Sequence, residues 1–387
     1  MQSAGVVIIG AGVIGASVAY HLAARGCRDV LVIERGAQPG EGSTGRATGG
    51  FRAQFGTSVN VRLSLLSRQK LLNFREELGR DTGYRPCGYL FLASGQAELD
   101  ALYAAQEVQR ACGLNETRRV SRDEIQDFNP AVRADALSGG VFCPTDGFIR
   151  PLEILHGYVE SARRLGVRFE YDVAVTGFRM AGSSRIAALR TPRGEIETGC
   201  VVNAAGPWAA GVAACAGVHL PVLPLRRQAA ATHPCNLLPE DMPMTIFTED
   251  GFHLRVRDGR VLLLWPDQPH VTDPFETQVT DEWLDGIARR AQASIPALSQ
   301  ARIDRRSCWA GLYEMSPDRH ALLGPATGVE NLYLANGSSG HGVMHAPALG
   351  HLLAEIILDG AATTLDVHQL RPSRFIEGEP NAATEFL

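Results

Sequence analysis

The sequence predicts an α/β fold built on a parallel sheet, interleaved along the chain with a mixed-sheet α+β domain. The first observation is an apolar strand pattern at the N-terminus that runs directly into a glycine-rich turn and an apolar helix pattern. The second is that glycine-rich turns follow strand patterns again far along the chain, near residues 206 and 337. The third is a β-rich stretch over about 176–265, which lies between helical segments. A parallel-sheet domain interrupted by a second domain accounts for all three.

The N-terminal segment is the most informative motif. Val6–Ile9 and Val30–Ile33 have the composition of buried strands, and Glu34 ends the second. Between them, a Gly-x-Gly-x-x-Gly turn allows a tight bend, a close approach by a pyrophosphate and close packing of helix on strand. The turn comprises Gly10, Gly12, Val13, Ile14 and Gly15. Since Glu34 suits a ribose diol and would repel a 2′-phosphate, the motif predicts a Rossmann-like site for FAD or NAD. The alternative is a glycine-rich turn in another kind of βαβ unit.

Composition and charge narrow the class of protein. The 387 residues are 45% apolar with a formal net charge of −5, so two or three globular domains are expected and no nucleic-acid partner is favoured. No apolar run approaches the roughly 18 residues of a membrane span, and the N-terminal run lacks the basic residues of a secretory signal. The eight cysteines form no Cys-x-x-Cys pair, which argues against a structural metal, an iron–sulfur site and a disulfide framework. We expect a cytoplasmic protein without a metal.

Periodicity and turn signals place further elements along the chain. Helices are predicted over 59–78, 97–112, 151–165, 281–295 and 346–358. Strands are predicted over 89–92, from 139, over 167–175 and over 332–335.

Three further segments have the composition of loops that approach a ligand closely. Residues 42–52 combine four glycines and three hydroxyl side chains with the positive charges of Arg46 and Arg52. Residues 201–208 end a strand in small side chains. Residues 334–344 form a turn before the last helix, where free backbone N–H groups suit an anionic group such as a reduced flavin. Taken singly, each of the first two segments is equally consistent with an ordinary loop or turn, and the alternative for His341 in the third is a structural rather than a catalytic role.

Together the four segments resemble the D-amino-acid-oxidase-like superfamily of FAD enzymes, and within it the sarcosine oxidase and dye-linked proline dehydrogenase β-subunit group. The resemblance covers nearly the whole chain and favours FAD over NAD. The family's FAD domain is discontinuous in sequence. By that resemblance, residues 1–85, 142–212 and 321–387 form the FAD-binding domain, and residues 86–141 and 213–320 form a substrate-binding domain.

The resemblance also implies which residues contact FAD. The N-terminal glycines would hold the pyrophosphate and the acid the adenosine ribose. The loop after them would pack on the isoalloxazine, and the turn near residue 340 would meet the flavin pyrimidine edge. Beyond the N-terminal turn, the implied contacts are Glu34, Arg35, Ser43, Thr44, Arg46, Ala47, Thr48, Gly49, Gly50, Val173, Ala204, Gly206, Trp208, Gly311, Gly337, Gly340, His341, Gly342, Val343 and Met344.

Enzymes of this family hold a substrate carboxylate with an arginine after the glycine loop and a further basic residue. Arg52 matches the arginine, and a guanidinium–carboxylate pair fixes orientation as well as charge. Where monomeric sarcosine oxidases carry a lysine, this chain has Met344. Arg52 could bind the carboxylate alone, or His253 or Arg255 could assist it. Because side chains alternate along a strand, His253 and Arg255 share one face of a strand that lines the pocket in this family. The alternative is that this face meets solvent.

Two absences separate this chain from the oxidases of the group. The position of the cysteine that links their flavin covalently is Gly311 here, so non-covalent FAD is expected. Those oxidases also use a lysine over the flavin to promote reaction with oxygen. The only lysine of this chain is Lys70, in a helix pattern outside every pocket motif, and arginine is not an equivalent point charge. We expect a dehydrogenase that uses an external electron acceptor, or an oxidase with weak or differently assisted oxygen reactivity.

These observations lead to one functional hypothesis and two alternatives. The first is FAD-dependent oxidation of the C–N bond of a carboxylate-bearing amine by hydride transfer to flavin N5, giving an imine that hydrolyses. The second keeps the cofactor but oxidises a 2-hydroxy acid or a polyol phosphate, which Arg52 would serve equally well. The third is a non-catalytic FAD subunit of a larger complex, since dye-linked relatives are often assembled with partner subunits.

Overall fold

The computed structural model describes residues 2–266 and 273–383, whose strands form two large sheets and a short ribbon. The first sheet contains β1 (Gln2–Ile9), β2 (Val30–Ile33), β8 (Arg168–Glu170), β9 (Gly177–Ala181), β10 (Arg185–Thr191), β11 (Gly194–Asn203), β17 (Leu322–Pro325) and β18 (Leu332–Asn336). The second contains β4 (Tyr89–Ala93), β5 (Arg118–Ser121), β6 (Gly139–Cys143), β12 (Leu223–Ala231), β13 (Met244–Phe247), β14 (His253–Arg257), β15 (Arg260–Leu264) and β16 (Trp309–Met315). The ribbon pairs β3 (Gly50–Phe51) with β7 (Gly147–Phe148). The α-helices are α1 (Val13–Ala24), α2 (Ser58–Leu78), α3 (Gln96–Ala111), α4 (Ile125–Phe128), α5 (Pro151–Arg164), α6 (Ala209–Ala214), α7 (Asp281–Ser294) and α8 (Gly342–Asp359).

The first sheet has a parallel centre, in the order β18-β11-β1-β2-β8. Along β1, Val6 and Ile8 pack into a core shared with α1, α2, α5 and α8. Val7 and Ile9 pack into a second core on the opposite face, with α6 and the β9–β10 hairpin. A strand buried on both faces has no polar side, which explains the continuous apolar run that the sequence shows.

The second sheet is mostly antiparallel, in the order β16-β12-β15-β14-β13-β4-β6-β5. Helix α7 packs its apolar side, including Trp283 and Ile287, into a core with Leu254 and Leu263 of the sheet. The predicted fold class is confirmed by these two mixed α/β layers. The strands of the first sheet lie within the residue ranges expected for the FAD-binding domain, and those of the second sheet lie within the ranges expected for the substrate-binding domain. The one exception is β6, which crosses the expected boundary at residue 142. We therefore propose that the two sheets are the cores of the two domains.

Two predicted elements differ from the structure. The strand predicted over 167–175 ends at Glu170, because Asp172 adopts a left-handed φ of 56°. The N–H groups of Asp172 and Val173 instead donate to the carbonyls of Gly36 and Glu34, each at 2.9 Å. Helix α8 begins at Gly342 rather than at residue 346. Among the described residues, no helix combines the length and apolar character needed to cross a membrane, and no cluster of His, Cys, Asp or Glu side chains is arranged to hold a metal.

A buried ion pair fastens the C-terminal segment to the first sheet. Arg374 is fully buried, and its Nε and an Nη donate to the Asp318 carboxylate at 2.8 and 2.9 Å. The backbone N–H of Asn381 donates to the same carboxylate at 3.0 Å. Burial alone would raise the pKa of Asp318, but the hydrogen bonds and charge of Arg374 outweigh it and hold the pKa at about 2.

Replacing Asp318 with asparagine is expected to lower the free energy of unfolding by about 3–5 kcal/mol at pH 7, because Arg374 then stays buried without a counter-charge. The folded-state pKa is depressed below the ordinary value of about 3.9, so the contribution is complete above that pH and is lost as the pH falls toward 2. Urea unfolding between pH 3 and pH 8 measures both effects. Asp285→Asn, which affects an exposed pair with Arg305, is the control and should change stability by less than about 1 kcal/mol. Equal stability of Asp318→Asn and the native chain would contradict the account.

Candidate active site

A cavity of about 1380 Å³ lies between the carboxyl ends of the parallel strands and the second sheet. Ligands of α/β proteins bind at this edge of a parallel sheet. The volume exceeds the roughly 300–1,000 Å³ of a site for one drug-sized molecule, so a dinucleotide and a second small molecule fit together. The first-sheet wall carries the glycine turn and Glu34, and the second-sheet wall carries His253 and Tyr313.

In the glycine turn, Gly10 and Gly15 pack closely against the backbone, whereas Gly12 is open to the cavity. A Cβ on Gly10 would lie 2.5 Å from the carbonyl oxygen of Ala204, and one on Gly15 would lie 2.0 Å from that of Gly10. At Gly12, by contrast, the nearest atom to an added Cβ is Thr44 Oγ1 at 3.4 Å, and this residue lines the cavity. The N–H of Val13, in the first turn of α1, donates to the same hydroxyl at 3.1 Å. The helix N-terminus therefore faces the cavity, where it suits a phosphate.

Glu34 is held against the glycine turn at the end of β2. One carboxylate oxygen accepts from the N–H of Ala11 at 2.8 Å and the other from the N–H of Gly36 at 2.9 Å. The next residue, Arg35, stacks its guanidinium 3.6 Å from the ring centroid of Trp208. That indole in turn stacks on Phe275, with centroids 5.6 Å apart and planes within 12°. The predicted ribose-binding acid thus lies on the same wall as the 206–208 turn.

The loop over residues 43–50 is fastened along β16. The Ser43 hydroxyl donates to the carbonyl of Leu312 at 2.6 Å, and Arg46 donates to that of Ala310 at 2.8 Å. The Trp309 indole donates to the carbonyl of Arg46 at 2.8 Å. A Cβ on Gly311 would lie only 3.1 Å from the Cβ of Arg46, so glycine lets the loop cross the strand.

The turn before α8 is fixed by a buried acid that the sequence analysis missed. Glu314 accepts from the N–H of Ser338 at 3.2 Å through its side chain and from the N–H of Ser339 at 3.0 Å through its backbone. Burial raises the pKa of Glu314 to about 7, with the bonds from the turn opposing the rise. Gly340 lies against the ring of Tyr313, 2.5 Å from an added Cβ. The sequence feature that could have revealed Glu314 is its position: it is the one acidic residue of β16 and occupies a buried position in a strand whose buried and partly exposed residues alternate.

Arg52 places a buried positive charge on the cavity wall. The side chain is 3% exposed; one Nη donates to the carbonyl of Gln54 at 2.5 Å and the other to Nε2 of His341 at 3.2 Å. Its guanidinium lies 3.9 Å from the ring centroid of Phe55. Burial lowers its pKa to about 10, while Tyr89 and Asp146 partly oppose the shift, so the group stays charged at neutral pH. A buried cation at a cavity suits an anionic ligand group.

His253 and Arg255, which both lie on β14, differ in their position relative to the cavity. His253 lines the cavity, and its Nδ1 donates to the carbonyl of Gly251 at 2.8 Å. Burial lowers its pKa to about 4, assisted by the charges of Arg52 and Arg227, so it is neutral at pH 7. Arg255 does not line the cavity.

Arg255, one of the two residues considered as helpers of Arg52, contacts a loop and does not line the cavity. It lies beneath the 43–50 loop and donates to the carbonyls of Thr48 and Gly49 at 3.1 and 3.2 Å, with its guanidinium 3.4 Å from the ring centroid of Phe148. The alternation of side chains along β14 predicts the face on which Arg255 lies. It does not predict that the Arg255 guanidinium binds backbone carbonyls some 206 residues away in sequence.

Most predicted site residues meet at this cavity. Those that line it are Gly10, Gly12, Val13, Ile14, Glu34, Arg35, Ser43, Thr44, Arg46, Ala47, Thr48, Gly49, Gly50, Arg52, Val173, Ala204, Gly206, Trp208, His253, Gly311, Gly340, His341, Gly342, Val343 and Met344. Gly15, Gly337 and Arg255 do not. Gly337 has a φ of 69°, and an added Cβ would lie 2.3 Å from Leu322, so it serves the turn itself. Arg227, on β12, lines the cavity as well and was missed, since no motif marks its strand.

A dinucleotide-sized cavity at the edge of a parallel sheet, walled by a second sheet, is typical of nucleotide-dependent oxidoreductases. The model of one family, described as FAD dependent oxidoreductase (DAO), matches residues 5–356, and the chain belongs to that family. The predicted resemblance and the predicted cofactor, FAD, are thereby confirmed. The open face of Gly12, the N-terminus of α1 and the carboxylate of Glu34 fit that cofactor.

Three known proteins illustrate the similarity. FAD-dependent oxidoreductase domain-containing protein 1 of Bos taurus is 30% identical over 97% of this chain and 85% of that protein. The mitochondrial dimethylglycine dehydrogenase of Homo sapiens is 29% identical over 95% of this chain but only 44% of that protein. The crystal structure of L-proline dehydrogenase from P. horikoshii has a TM-score of 0.90 and 31% identity, covering 98% of this chain and 100% of that one.

Replacing Gly12 with alanine is expected to weaken FAD binding by about tenfold or more while leaving the apoprotein as stable as before, because the new methyl group enters the cavity without a protein clash. Gly15→Ala should instead destabilise the apoprotein, since its Cβ would overlap the Gly10 carbonyl. FAD titration by fluorescence and thermal unfolding of the apoprotein measure the two effects. Gly95→Ala, with no atom within 4 Å of the new Cβ, is the control. Unchanged FAD affinity in Gly12→Ala would remove Gly12 from the pyrophosphate site.

Proposed function

We propose that this protein oxidises the C–N bond of a carboxylate-bearing amine, namely an N-substituted amino acid, an imino acid or an amino acid, to an imine that then hydrolyses. The observation that carries the proposal is Arg52, a buried cation on the wall of an FAD-sized cavity. The names of two similar proteins, dimethylglycine dehydrogenase and L-proline dehydrogenase, favour amines with a carboxylate over hydroxy acids.

In this proposal the residues of the first sheet hold FAD. The turn at Gly10–Gly15 and the N-terminus of α1 receive the pyrophosphate, and Glu34 receives the adenosine ribose. The 43–50 loop and the turn before α8 hold the flavin, which supplies the hydride acceptor when FAD is bound. The FAD is non-covalent. The position at Gly311 offers no nucleophile, and Cys308 donates to the carbonyl of Asp304 at 3.3 Å without lining the cavity.

Arg52 binds and orients the substrate carboxylate. Two parallel N–H···O bonds from one guanidinium fix the plane of the carboxylate, and the low exposure of Arg52 strengthens the attraction by excluding water. His253 adds no second charge, because it is neutral at pH 7. Met344, 7% exposed on the cavity wall, presents an apolar thioether in place of a cation. Of these three residues only Arg52 carries a charge, so we assign carboxylate recognition to it, with positioning as its main contribution to the rate.

The electron acceptor we propose is an external carrier rather than oxygen. Lys70, the only lysine of the chain, lies on α2 and is not among the residues that line the cavity. Burial lowers its pKa, while Glu77 and Glu355 oppose the shift, so its neighbours are acids outside the site. The cavity therefore lacks the compact ammonium charge that would stabilise a developing superoxide.

Replacing Arg52 with methionine is expected to raise the concentration of carboxylate-bearing amine needed for half-maximal flavin reduction by about a hundredfold, because a buried charge-assisted pair is lost. Anaerobic bleaching of the flavin absorbance by sarcosine, dimethylglycine and proline measures this. Arg62→Met, on the exposed face of α2, is the matched control and should behave like the native protein. Unchanged affinity in Arg52→Met would remove Arg52 from substrate binding. Bleaching of the native protein by 2-hydroxy acids but not by amines would overturn the proposed function.

The reduced native protein is expected to pass electrons to an artificial dye at least tenfold faster than to dissolved oxygen, because no lysine lines the cavity. Stopped-flow reoxidation of the substrate-reduced flavin with either acceptor gives the two rates directly. Reoxidation by air as fast as by the dye would contradict the proposed preference for a carrier.

A further inference from the structure

We propose that His341 is a positioning residue for Arg52: its Nε2 fixes the guanidinium in the orientation that receives the substrate carboxylate. This inference rests on the proposed function and deepens it, by naming what holds the carboxylate-binding group. Arg52 and His341 are 289 residues apart in sequence and meet only in the folded chain.

The hydrogen bond between the two side chains has one possible direction. A guanidinium has donors but no acceptor, so the Nη of Arg52 donates and Nε2 of His341 accepts over 3.2 Å. The imidazole must therefore be neutral, with its proton on Nδ1. A protonated ring would place a second donor and a second positive charge against Arg52.

Phe55 packs against both partners and confines them. The guanidinium of Arg52 lies 3.9 Å from the Phe55 ring centroid, and the His341 ring meets the same ring edge-on, with centroids 4.8 Å apart and planes at 89°. His345, one turn further along α8, also contacts Phe55, with centroids 5.3 Å apart. Its Nε2 is hydrogen-bonded to the Ser64 hydroxyl on α2 at 2.9 Å. Arg52, His341 and His345 are all less than 9% exposed, so none can relax into solvent.

The backbone of His341 belongs to the turn that we propose for the flavin. Its N–H donates to the carbonyl of Ser338 at 2.8 Å, and its carbonyl accepts from the N–H of His345 at 3.0 Å in the first turn of α8. One residue thus joins the turn before α8 to the substrate-binding arginine. Loss of the Nε2 acceptor leaves a buried, charged N–H without this partner, which typically weakens binding through that group about tenfold to a hundredfold.

The test compares side chains that differ in where they carry an acceptor. His341→Gln keeps an acceptor near the position of Nε2, whereas His341→Leu has none and His341→Asn has one that is too short to reach Arg52. His351→Leu, on the outer part of the same helix, is the control. Each FAD-loaded variant is titrated with acetate and propionate, which carry a carboxylate without an oxidisable amine, and with neutral acetamide. Binding is followed by the change in flavin absorbance, and FAD retention is measured on the same samples.

We expect carboxylate dissociation constants about tenfold or more above native in His341→Leu and His341→Asn, and within about threefold of native in His341→Gln and His351→Leu. Acetamide binding should be the same in all of them. Native-like carboxylate binding in both His341→Leu and His341→Asn would overturn the proposal. So would equal impairment in His341→Gln, or an equal loss of acetamide binding, since either would show a structural role. If His341→Leu does not retain FAD, the carboxylate dissociation constants of His341→Asn and His341→Gln are compared instead, and the difference between them tests the proposal. Failure of the native protein to bind any carboxylate would instead refute the role of Arg52.

Discussion

The close approach of the Gly10 backbone to Ala204 is the constraint on which the site depends. Parallel pairing places Ile9 opposite Asn203 and Ile33, so three strands end at one point. The N–H of Gly10 donates to the carbonyl of Ile33 at 2.8 Å, and that of Ala204 donates to the carbonyl of Ile9 at 2.9 Å. A side chain at residue 10 would separate these strands. Their convergence leaves the N-terminus of α1 as the floor of the cavity, where we propose that the pyrophosphate is attracted by the helix dipole and the N–H groups of the first turn.

The second sheet completes the site through main-chain acceptors that hold the 43–50 loop. Arg46 reaches the carbonyl of Ala310 on β16, and Arg255 of β14 reaches the carbonyls of Thr48 and Gly49 from below. One exposed arginine, Arg46, and one buried arginine, Arg255, thus fix the loop, and a third, Arg52, follows that loop onto the cavity wall. Arg46 and Arg255 therefore hold backbone carbonyls, whereas we propose that Arg52 binds an anion. The arginine-rich composition alone does not distinguish these two roles.

Sequence patterns predicted the parts of the site that depend on local chain geometry. The spacing of Gly10, Gly12 and Gly15 is set within one βαβ unit, so it can be recognised without any tertiary information. Arg255 contacts the 43–50 loop and does not line the cavity, because alternation specifies a face of a strand but not which distant carbonyls lie opposite that face. Arg227 and Glu314 were missed for the same reason, since their importance comes from strand pairing and burial. The strand predicted over 167–175 extended too far, because a single left-handed residue, Asp172, turns the chain back toward Glu34.

A crystal structure of the FAD complex with bound propionate tests the central claim most directly. The account predicts that both propionate oxygens lie within hydrogen-bonding distance of the Arg52 guanidinium, with the hydrocarbon end directed toward the flavin and Met344. A propionate bound instead at Arg227, or a guanidinium of Arg52 turned away from the ligand, would contradict it.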